Sequence, residues 1–477
     1  MRAKLKKTWY LMVIILFALC AKVVVFANMF EEHGFISVYT KEDLLKIGNE
    51  LDWPLDGYYL LMNDLMFESI ESQERNFNQI ASNVDMPFSG VFDGNGKSIK
   101  GLLYRDESAN VALFGYVNGE NAVIRNLTLE DVDFSGNDVG ALVYYISNGI
   151  IENCYVSGKI TARSSVGSYG SKIFKGVIRD CHSTCDIISG KIAGGIVTIV
   201  GYEGIVTGCS YSGKLISNDN QATGGIAANN GGRIEKSFFL GSIVVPQHAG
   251  IDFRNSDCVG GIVGNNLGII EKSYSSGRLE CRLANSYISN QGVGGIAGSN
   301  YSIIRDCYTV GTIIGSWWVG GIAGRNSGEI LKCYSTVEMS SNINPVMGGI
   351  AAVNNGLVDM SVSLVPAVMV QYGSNDSSGG RVVGMSGKNP LYFANNYAWR
   401  EMEVVYGEIR KLTAENDCYM NGVSRGLSGL LVKEAYVELG WDFTSDNPIW
   451  EFSGEYKLPK LVGVGGQENL ITPSHLM

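Results

Sequence analysis

Proline, histidine and basic residues are scarce in this chain. Its 477 residues include 9 prolines, 4 histidines, and 37 basic against 47 acidic residues, which gives a formal net charge of −10. Nucleic acid is an unsuitable partner, because phosphate binding needs a basic face. The histidines form no His-Glu-x-x-His zinc pair, and we find no Gly-x-Ser-x-Gly elbow with a partner histidine and no Walker loop. We therefore expect no catalytic residues, no cofactor and no metal site. The histidines are His33, His182, His248 and His475.

Long apolar runs are also lacking, apart from one near the N-terminus. Residues 9–19 are mostly apolar, follow a basic start and precede Val25-Phe26-Ala27, which predicts a signal peptide over residues 1–27. The run is shorter than the roughly 20 residues of a membrane helix, so we expect no transmembrane segment in the mature chain. The protein is then secreted or loosely held at the cell surface, with a formal charge of −15 after loss of five basic residues. A lipid anchor on Cys20 is the alternative, but Leu19 is bulky for it.

Glycine, by contrast, is abundant, with 61 residues, and much of it lies in a repeat. The repeat is a small or aliphatic residue, Gly-Gly, an aliphatic pair and an Asn/Gly turn, and it recurs every 26 to 36 residues. Such units must stack on their neighbours to bury an apolar face. Gly, Ser, Asn and β-branched residues favour short strands over helices, so the sequence predicts an all-β parallel β-helix. The glycines expected to be structural are Gly195, Gly225, Gly261, Gly295, Gly321 and Gly349.

A second pattern follows each Gly-Gly unit. An aliphatic residue, from Ile151 to Val358, is followed three residues later by cysteine or serine, and we assign Met360 to the last of these slots. A spacing of three cannot face one side of a flat strand. It indicates a bend that turns both side chains into the core.

The cysteines at this slot are expected to form a buried ladder of small core side chains. They are Cys154, Cys181, Cys209, Cys307 and Cys333. Because Ser237 and Ser273 fill the same slot, sulfur is not essential there. Disulfides between stacked positions are the alternative in an exported protein.

Segments such as Val259 to Gly277 and Val319 to Ser335 resemble the GLUG motif, a Gly-Gly-aliphatic-Gly-x-Asn repeat. The resemblance implies a bacterial secreted or surface β-solenoid, like the non-catalytic parts of some immunoglobulin A-cleaving peptidases. Two units depart from the motif, at Val139-Gly140-Ala141 and at Val166-Gly167-Ser168.

The ends of the array are expected to carry short helical caps, which protect open sheet edges. Thr40 is predicted to cap an N-terminal helix, and Gly429 to Gly440 is predicted to be a C-terminal helix. We divide the chain into a signal peptide (1–27), an N-terminal cap with the first coils (28–135), the repeat solenoid (136–365), C-terminal coils and cap (366–463) and a disordered tail (464–477).

Repeat length points to a binding surface. Two adjacent repeats are longer than the others, with extra residues over about 242–257 and 278–291, and insertions in a solenoid emerge on one side and often bind. Tolerated surface variation is the simpler explanation. Trp317-Trp318 is a second candidate, although aromatics that fill a corner would look the same. The candidate loop residues are Phe253, Arg254, Arg282 and Tyr287.

Two function hypotheses remain. The first is a non-enzymatic extracellular binding, adhesion or spacer module whose partner is an unknown protein or glycan. The second is a secreted polysaccharide lyase or glycoside hydrolase, which requires acids on neighbouring turns. Asp64 and Asp93 are the acids one would propose, but each lies in a turn that favours Asp for backbone reasons. Glu and Lys or Arg and Asp alternate before the Cys slot, which indicates a solvated face of mixed charge.

Overall fold

A computed structural model describes residues 34–68, 74–219, 221–246, 258–282, 292–341, 345–370, 380–387, 395–406, 409–412 and 420–477. The expected signal peptide lies outside the described residues.

The chain winds into a parallel β-solenoid of about 10 turns, which confirms the predicted fold class. Each turn of the repeat region contains five short strands, and each strand pairs in parallel with its counterpart one turn later. We number the resulting ladders 1 to 5 in chain order. Ladders 2 and 3 form one sheet, and ladders 1, 4 and 5 form the other.

The strands of the regular turns are as follows. Ladder 1 contains Ile192–Gly194, Ala222–Gly224, Cys258–Gly260, Gly292–Gly294, Trp318–Gly320 and Val346–Gly348. Ladder 2 contains Val197–Thr207, which runs on into ladder 3, then Ala227–Asn230, Val263–Asn266, Ala297–Asn300, Ala323–Asn326, Ala351–Asn354 and Val383–Ser386. Ladder 3 contains Arg233–Glu235, Ile269–Glu271, Ile303–Arg305, Glu329–Leu331 and Leu357–Asp359. Ladder 4 contains His182–Ser183, Ser210–Tyr211, Phe238–Phe239, Tyr274–Ser275, Tyr308–Thr309, Tyr334–Ser335, Val362–Ser363, Tyr397–Trp399 and Val423–Arg425. Ladder 5 contains Asp186–Ser189, Lys214–Ser217, Ser242–Val245, Arg278–Cys281, Thr312–Gly315 and Glu338–Ser341.

The first coils precede the regular turns and stack in the same register. Helix α1 (Lys41–Lys46) begins at Thr40, whose side chain accepts a hydrogen bond from the Asp43 N–H, so the predicted cap is confirmed. The strands that follow Ile36–Val38 are Tyr58–Leu61, Leu65–Met66, Val91–Asp93, Ser98–Lys100, Leu103–Val111, Phe114–Arg125, Thr128–Gly140, Val143–Glu152, Tyr155–Gly167 and Gly170–Arg179. The two units that depart from the motif also belong to the stack, because Val166 pairs with Val139 on one side and with Ala193 on the other.

The three-residue spacing is produced by one left-handed residue. The residue before the Cys slot has a φ near +50° in successive turns, as at Asp180 (51°), Lys236 (50°) and Lys332 (53°). This bend returns the next side chain to the core, and the slot side chain donates to the carbonyl two residues earlier. The distance is 3.2 Å from Cys181 Sγ to Arg179 O and 2.8 Å from Ser273 Oγ to Glu271 O. Both side chains make the same bond, which explains why cysteine and serine interchange.

Met360 does not occupy the last slot, which corrects our assignment. It has φ 52° and is the bend residue itself, two residues after Val358. Ser361 fills the slot, and its Oγ lies 3.0 Å from Asp359 O. Thioether sulfur has no hydrogen to donate, so Met cannot make the bond that defines the slot.

Buried asparagines form a ladder at the end of the ladder 2 strands. Each side-chain amide donates to the next, over 2.8 Å from Asn230 to Asn266, 2.8 Å from Asn266 to Asn300, 2.8 Å from Asn300 to Asn326 and 2.7 Å from Asn326 to Asn354. All five are fully buried. Their amides also bond to backbone carbonyls of the following turn, so they tie the bend between ladders 2 and 3 to the stack.

The C-terminal residues 427–477, which we call the strap, lie along the side of the solenoid instead of over its end. They cover four stacked rings on the outer face of ladder 4, at Phe238, Tyr274, Tyr308 and Tyr334, with centroid spacings of 5.3, 4.8 and 4.9 Å. The tyrosine hydroxyls bond to the strap, over 3.0 Å to Gly465 O, 2.8 Å to Gln467 Oε1 and 2.8 Å to Pro459 O. A second hydrophobic core therefore lies outside the coil.

The tail from 464 to 477 is ordered within this strap, which corrects the expected disorder. Val464, Gln467 and Leu476 are buried, and residues Ser474–Leu476 form a 3₁₀ turn.

The predicted C-terminal helix is instead two short helices, α2 (Leu427–Leu430) and α3 (Lys433–Glu438), because the chain bends at Leu431 and Val432. The strap also contains the strand pair Trp450–Glu451 and Lys460–Leu461. A separate three-stranded sheet contains Ala367–Val370, Glu403–Tyr406 and Ile409–Leu412.

Candidate interaction site

The two long insertions leave the solenoid at the same corner. One lies between Ser242–Val245 and Cys258–Gly260, and the other lies between Arg278–Cys281 and Gly292–Gly294. Both therefore join ladder 5 to ladder 1 in consecutive turns, and the flanking strands are paired in register. Phe253, Arg254 and Tyr287 lie outside the described residues. The strands that flank the two insertions are therefore neighbours at one corner of the solenoid.

Arg282 lies at the base of the second insertion and is exposed. Its Nε is 2.6 Å from Glu280 Oε1, and Arg278 Nη2 is 3.0 Å from the other oxygen of the same carboxylate. The hydrogen bond from Arg278 is the main cause that holds the pKa of Glu280 below its usual range, and Arg282 adds to it. Glu280 is thus bonded to a cation at each end of its strand, and only Arg282 lies beside the insertion.

Trp317 and Trp318 occupy the same corner one turn further along. Trp318 pairs with Gly292 on one side and with Val346 on the other, and both tryptophans are half-buried. The Ser316 hydroxyl donates to Cys281 O over 3.1 Å, which joins this corner to the insertion beside it. The two candidates that the sequence proposed separately are therefore neighbours.

The cysteine ladder lies in the core. All eight cysteines in the described part of the chain are buried, and the five at the slot are free thiols. Burial raises the pKa of Cys181 well above its usual range, and the adjacent thiols of Cys154 and Cys209 raise it further. The thiolate is the nucleophile and the metal ligand, so Cys181 is held in its unreactive form.

Both candidate acids accept hydrogen bonds from backbone N–H groups. Asp93 Oδ1 accepts from the Asn95 N–H at 2.8 Å, and its other oxygen is 2.7 Å from Arg125 Nε. Asp64 Oδ1 accepts from the Ser98 N–H at 2.7 Å. Asp93 therefore has the local turn role that the sequence predicted. Asp64 instead bonds to the backbone of the following coil, 34 residues along the chain. No group of three His, Cys, Asp or Glu side chains that could hold a metal ion occurs among the described residues.

The two described histidines lie apart from these acids. His182 Nδ1 is 2.8 Å from Ser210 Oγ on the outer face of ladder 4, and burial lowers its pKa. His475 Nε2 is 2.9 Å from Leu364 O beneath the strap. His33 and His248 lie outside the described residues.

The face expected to be solvated and of mixed charge is partly buried. Glu271 is only 2% exposed and lies between Arg233 and Arg305, whose Nε is 2.7 Å from Glu271 Oε2. The pairing of opposite charges is as expected, but this carboxylate is shielded by the arginines of the neighbouring turns. It stabilises the stack and is closed to a substrate.

No family model matches this sequence. Over 170 residues the chain is 30% identical to Halomucin of Haloquadratum walsbyi, a match that covers 30% of this chain and 2% of that protein. The chain thus spans a very small part of the curated relative that it matches. A solved structure of a "putative immunoglobulin A1 protease" from Bacteroides ovatus aligns with 89% of this chain and 91% of its own, at 14% identity and a TM-score of 0.33. The fold assignment rests on strand register alone.

Two surface features escaped the sequence reasoning. One is the ring stack beneath the strap, whose signal is an aromatic residue directly after the Cys slot in successive turns. The other is a set of exposed apolar residues that follow the ladder 2 strands. In the part of the chain that the structure describes, no helix has the length and apolar character to cross a bilayer.

Proposed function

We propose that this protein is an exported, non-enzymatic binding module in which a GLUG-type solenoid holds one corner of inserted loops toward an extracellular protein or glycan. The observation that supports it is the shared corner, where two insertions and the Trp317-Trp318 pair lie on consecutive turns. Continuous parallel pairing provides a rigid support on which variable loops are tolerated. The 170-residue likeness to Halomucin is compatible with this role.

Deleting residues 247–257 and 283–291 together is expected to abolish binding while the melting temperature changes by no more than about 3 °C, because surface loops add little to core stability. Binding of the labelled chain to immobilised matrix proteins and glycans measures the first quantity, and circular dichroism measures the second. Unchanged binding by the folded deletion variant would remove this corner from the proposal.

A matched pair of substitutions refines this test. Arg282→Ala acts at the loop base, whereas Arg278→Ala removes a cation from the same carboxylate at the other end of the strand. If the corner with the inserted loops is the binding site, Arg282→Ala should weaken binding and Arg278→Ala should not.

We also propose that the chain does not cleave polysaccharides. This is supported by the bond of Asp93 within its own turn, by the bond of Asp64 to the Ser98 N–H and by the shielding of Glu271. Incubation with a panel of neutral and acidic polysaccharides, with and without calcium, is expected to give no new reducing ends and no unsaturated products. A reproducible signal with any of them, lost on substitution of one of these acids, would support the lyase or hydrolase hypothesis instead.

A further inference from the structure

Four exposed apolar side chains line the corner between ladders 2 and 3. Phe174, Tyr202, Leu267 and Tyr301 are 46%, 81%, 52% and 45% exposed. We call this set the apolar ridge. Large apolar side chains exposed in a row are unusual on a soluble surface and mark a site of contact.

Leu267 and Tyr301 directly follow the asparagine ladder, whereas Phe174 and Tyr202 lie in the two turns before it begins. The Leu267 N–H donates to Asn230 O over 2.7 Å, and the Tyr301 N–H donates to Asn266 O over 2.8 Å, so these residues are on consecutive turns. Gly231 occupies the turn before Leu267, and a Cβ there would be 3.7 Å from the Tyr202 ring, so the ring extends over a glycine. From Phe174 to Tyr301 there are four interstrand spacings of about 4.8 Å, or roughly 19 Å in all.

A polar strip runs beside the ridge on the outer side of ladder 2. The residues in register there are Lys172, Ile199, Asn229, Asn265, Ser299 and Arg325. Of these, Ile199 is apolar and Ser299 is buried, so the polar groups that face outward are the two asparagines and the two cations. The middle of the strip is uncharged, and Asn265 Nδ2 donates to Asn229 Oδ1 over 3.1 Å. The Arg325 guanidinium lies 5.9 Å from the centre of the Tyr301 ring. No carboxylate occurs among these registered residues.

The apolar ridge and the adjacent amide strip together limit the chemical class of the partner. A stable protein interface needs about 800 Å² on each side, which four separated side chains do not supply. Aromatic faces offer flat, rigid apolar area, and side-chain amides present donors and acceptors together. Sugar rings have an apolar face and a rim of hydroxyls, so a protein binds them with aromatic faces and with side-chain amides together. The formal charge of −10 disfavours a polyanion.

We infer that the apolar ridge and its amide strip bind a neutral, linear polysaccharide along the solenoid axis. The inference rests on the proposed binding function and names a ligand class and a second surface for it. Tyr202 and Tyr301 provide the ring contacts, and Asn229 and Asn265 bond to hydroxyls between them.

Native gel electrophoresis of the full chain through gels that contain hydroxyethyl cellulose, xylan or laminarin tests this. At least one of these polymers should retard the chain, and Tyr202→Ala with Tyr301→Ala should weaken the retardation at least about tenfold. Tyr39→Ala, which removes a tyrosine of 51% exposure near α1, is the matched control and should have no effect.

The outcomes separate this inference from the proposed function. Retardation that persists in the loop-deletion variant and is lost in the tyrosine variant supports the ridge. Retardation lost only on loop deletion overturns the ridge but leaves the proposed function standing. Stronger binding to polygalacturonate than to all three neutral polymers, or no retardation by any polymer, also overturns the inference.

Discussion

Replacing Gly295 by alanine is expected to destabilise the solenoid by about 3 kcal/mol or more. An added Cβ would overlap the carbonyl oxygen of Gly321, its counterpart in the next turn, and would press on the Thr309 side chain. The Ile296 N–H is bonded to Ile322 O at 2.9 Å, so the strand cannot move away without losing ladder bonds. The second glycine of each pair is therefore required for close stacking, and the midpoint of urea unfolding should fall sharply.

Gly429→Ala is the control for this substitution. Gly429 lies in α2, and an added Cβ would have no atom within 4 Å. Alanine is the better helix former by about 0.5 to 1 kcal/mol, so this variant should be as stable as the original or slightly more so. If the two variants unfolded at the same urea concentration, the steric explanation of the Gly-Gly repeat would be wrong.

The solenoid could be predicted from the sequence because each turn repeats the same residue pattern and the same contacts. Equivalent residues of successive turns make equivalent contacts, as Gly295 and Gly321 do, and likewise Cys307 and Cys333. A period in the sequence therefore corresponds directly to a contact between neighbouring turns. The assignment of Met360 was wrong because the three-residue spacing from Val358 leads to Ser361, and the hydrogen bond made by Ser361 identifies the same slot.

The strap could not be predicted in this way, because its contacts are neither local nor repeated. Tyr308 meets Gln467 across 159 residues, and nothing periodic links the two. The stacked rings did contain a signal, since outward-facing aromatics on successive turns need a cover. The signal can be used only when the outward-facing side of the strand is known. That side depends on the position of the bend before the Cys slot.

The candidate site was predicted only in part for a related reason. Loop length located the corner correctly, since both insertions leave from it, but Arg282 is the only one of the four candidate loop residues that the structure describes. The apolar ridge was missed because Leu267 and Tyr301 are isolated apolar residues in turns, which are common on any surface. Their significance comes from the register that brings them onto consecutive turns.

Asn266→Ala is expected to cost about 3 kcal/mol, far more than Asn265→Ala. The Asn266 amide lies 2.8 Å from Asn300 Oδ1 and 3.2 Å from Ile303 O, and its own oxygen accepts from Asn230. Alanine removes four hydrogen bonds of this buried amide at once, at roughly 0.5 to 1.5 kcal/mol for each. Asn265 is half-buried and bonds to Asn229, so its loss should cost under about 1 kcal/mol in urea unfolding.

The double variant with Asn300→Ala decides whether the asparagine ladder acts as a unit. Each single substitution breaks the bond between Asn266 and Asn300, so the combined loss of stability should be smaller than the sum of the two single losses. Strict additivity would mean that each amide stabilises only its own bend through backbone carbonyls. Coupling would mean that the amide bonds of neighbouring turns stabilise one another, which helps a coil of short strands to keep its turns in register.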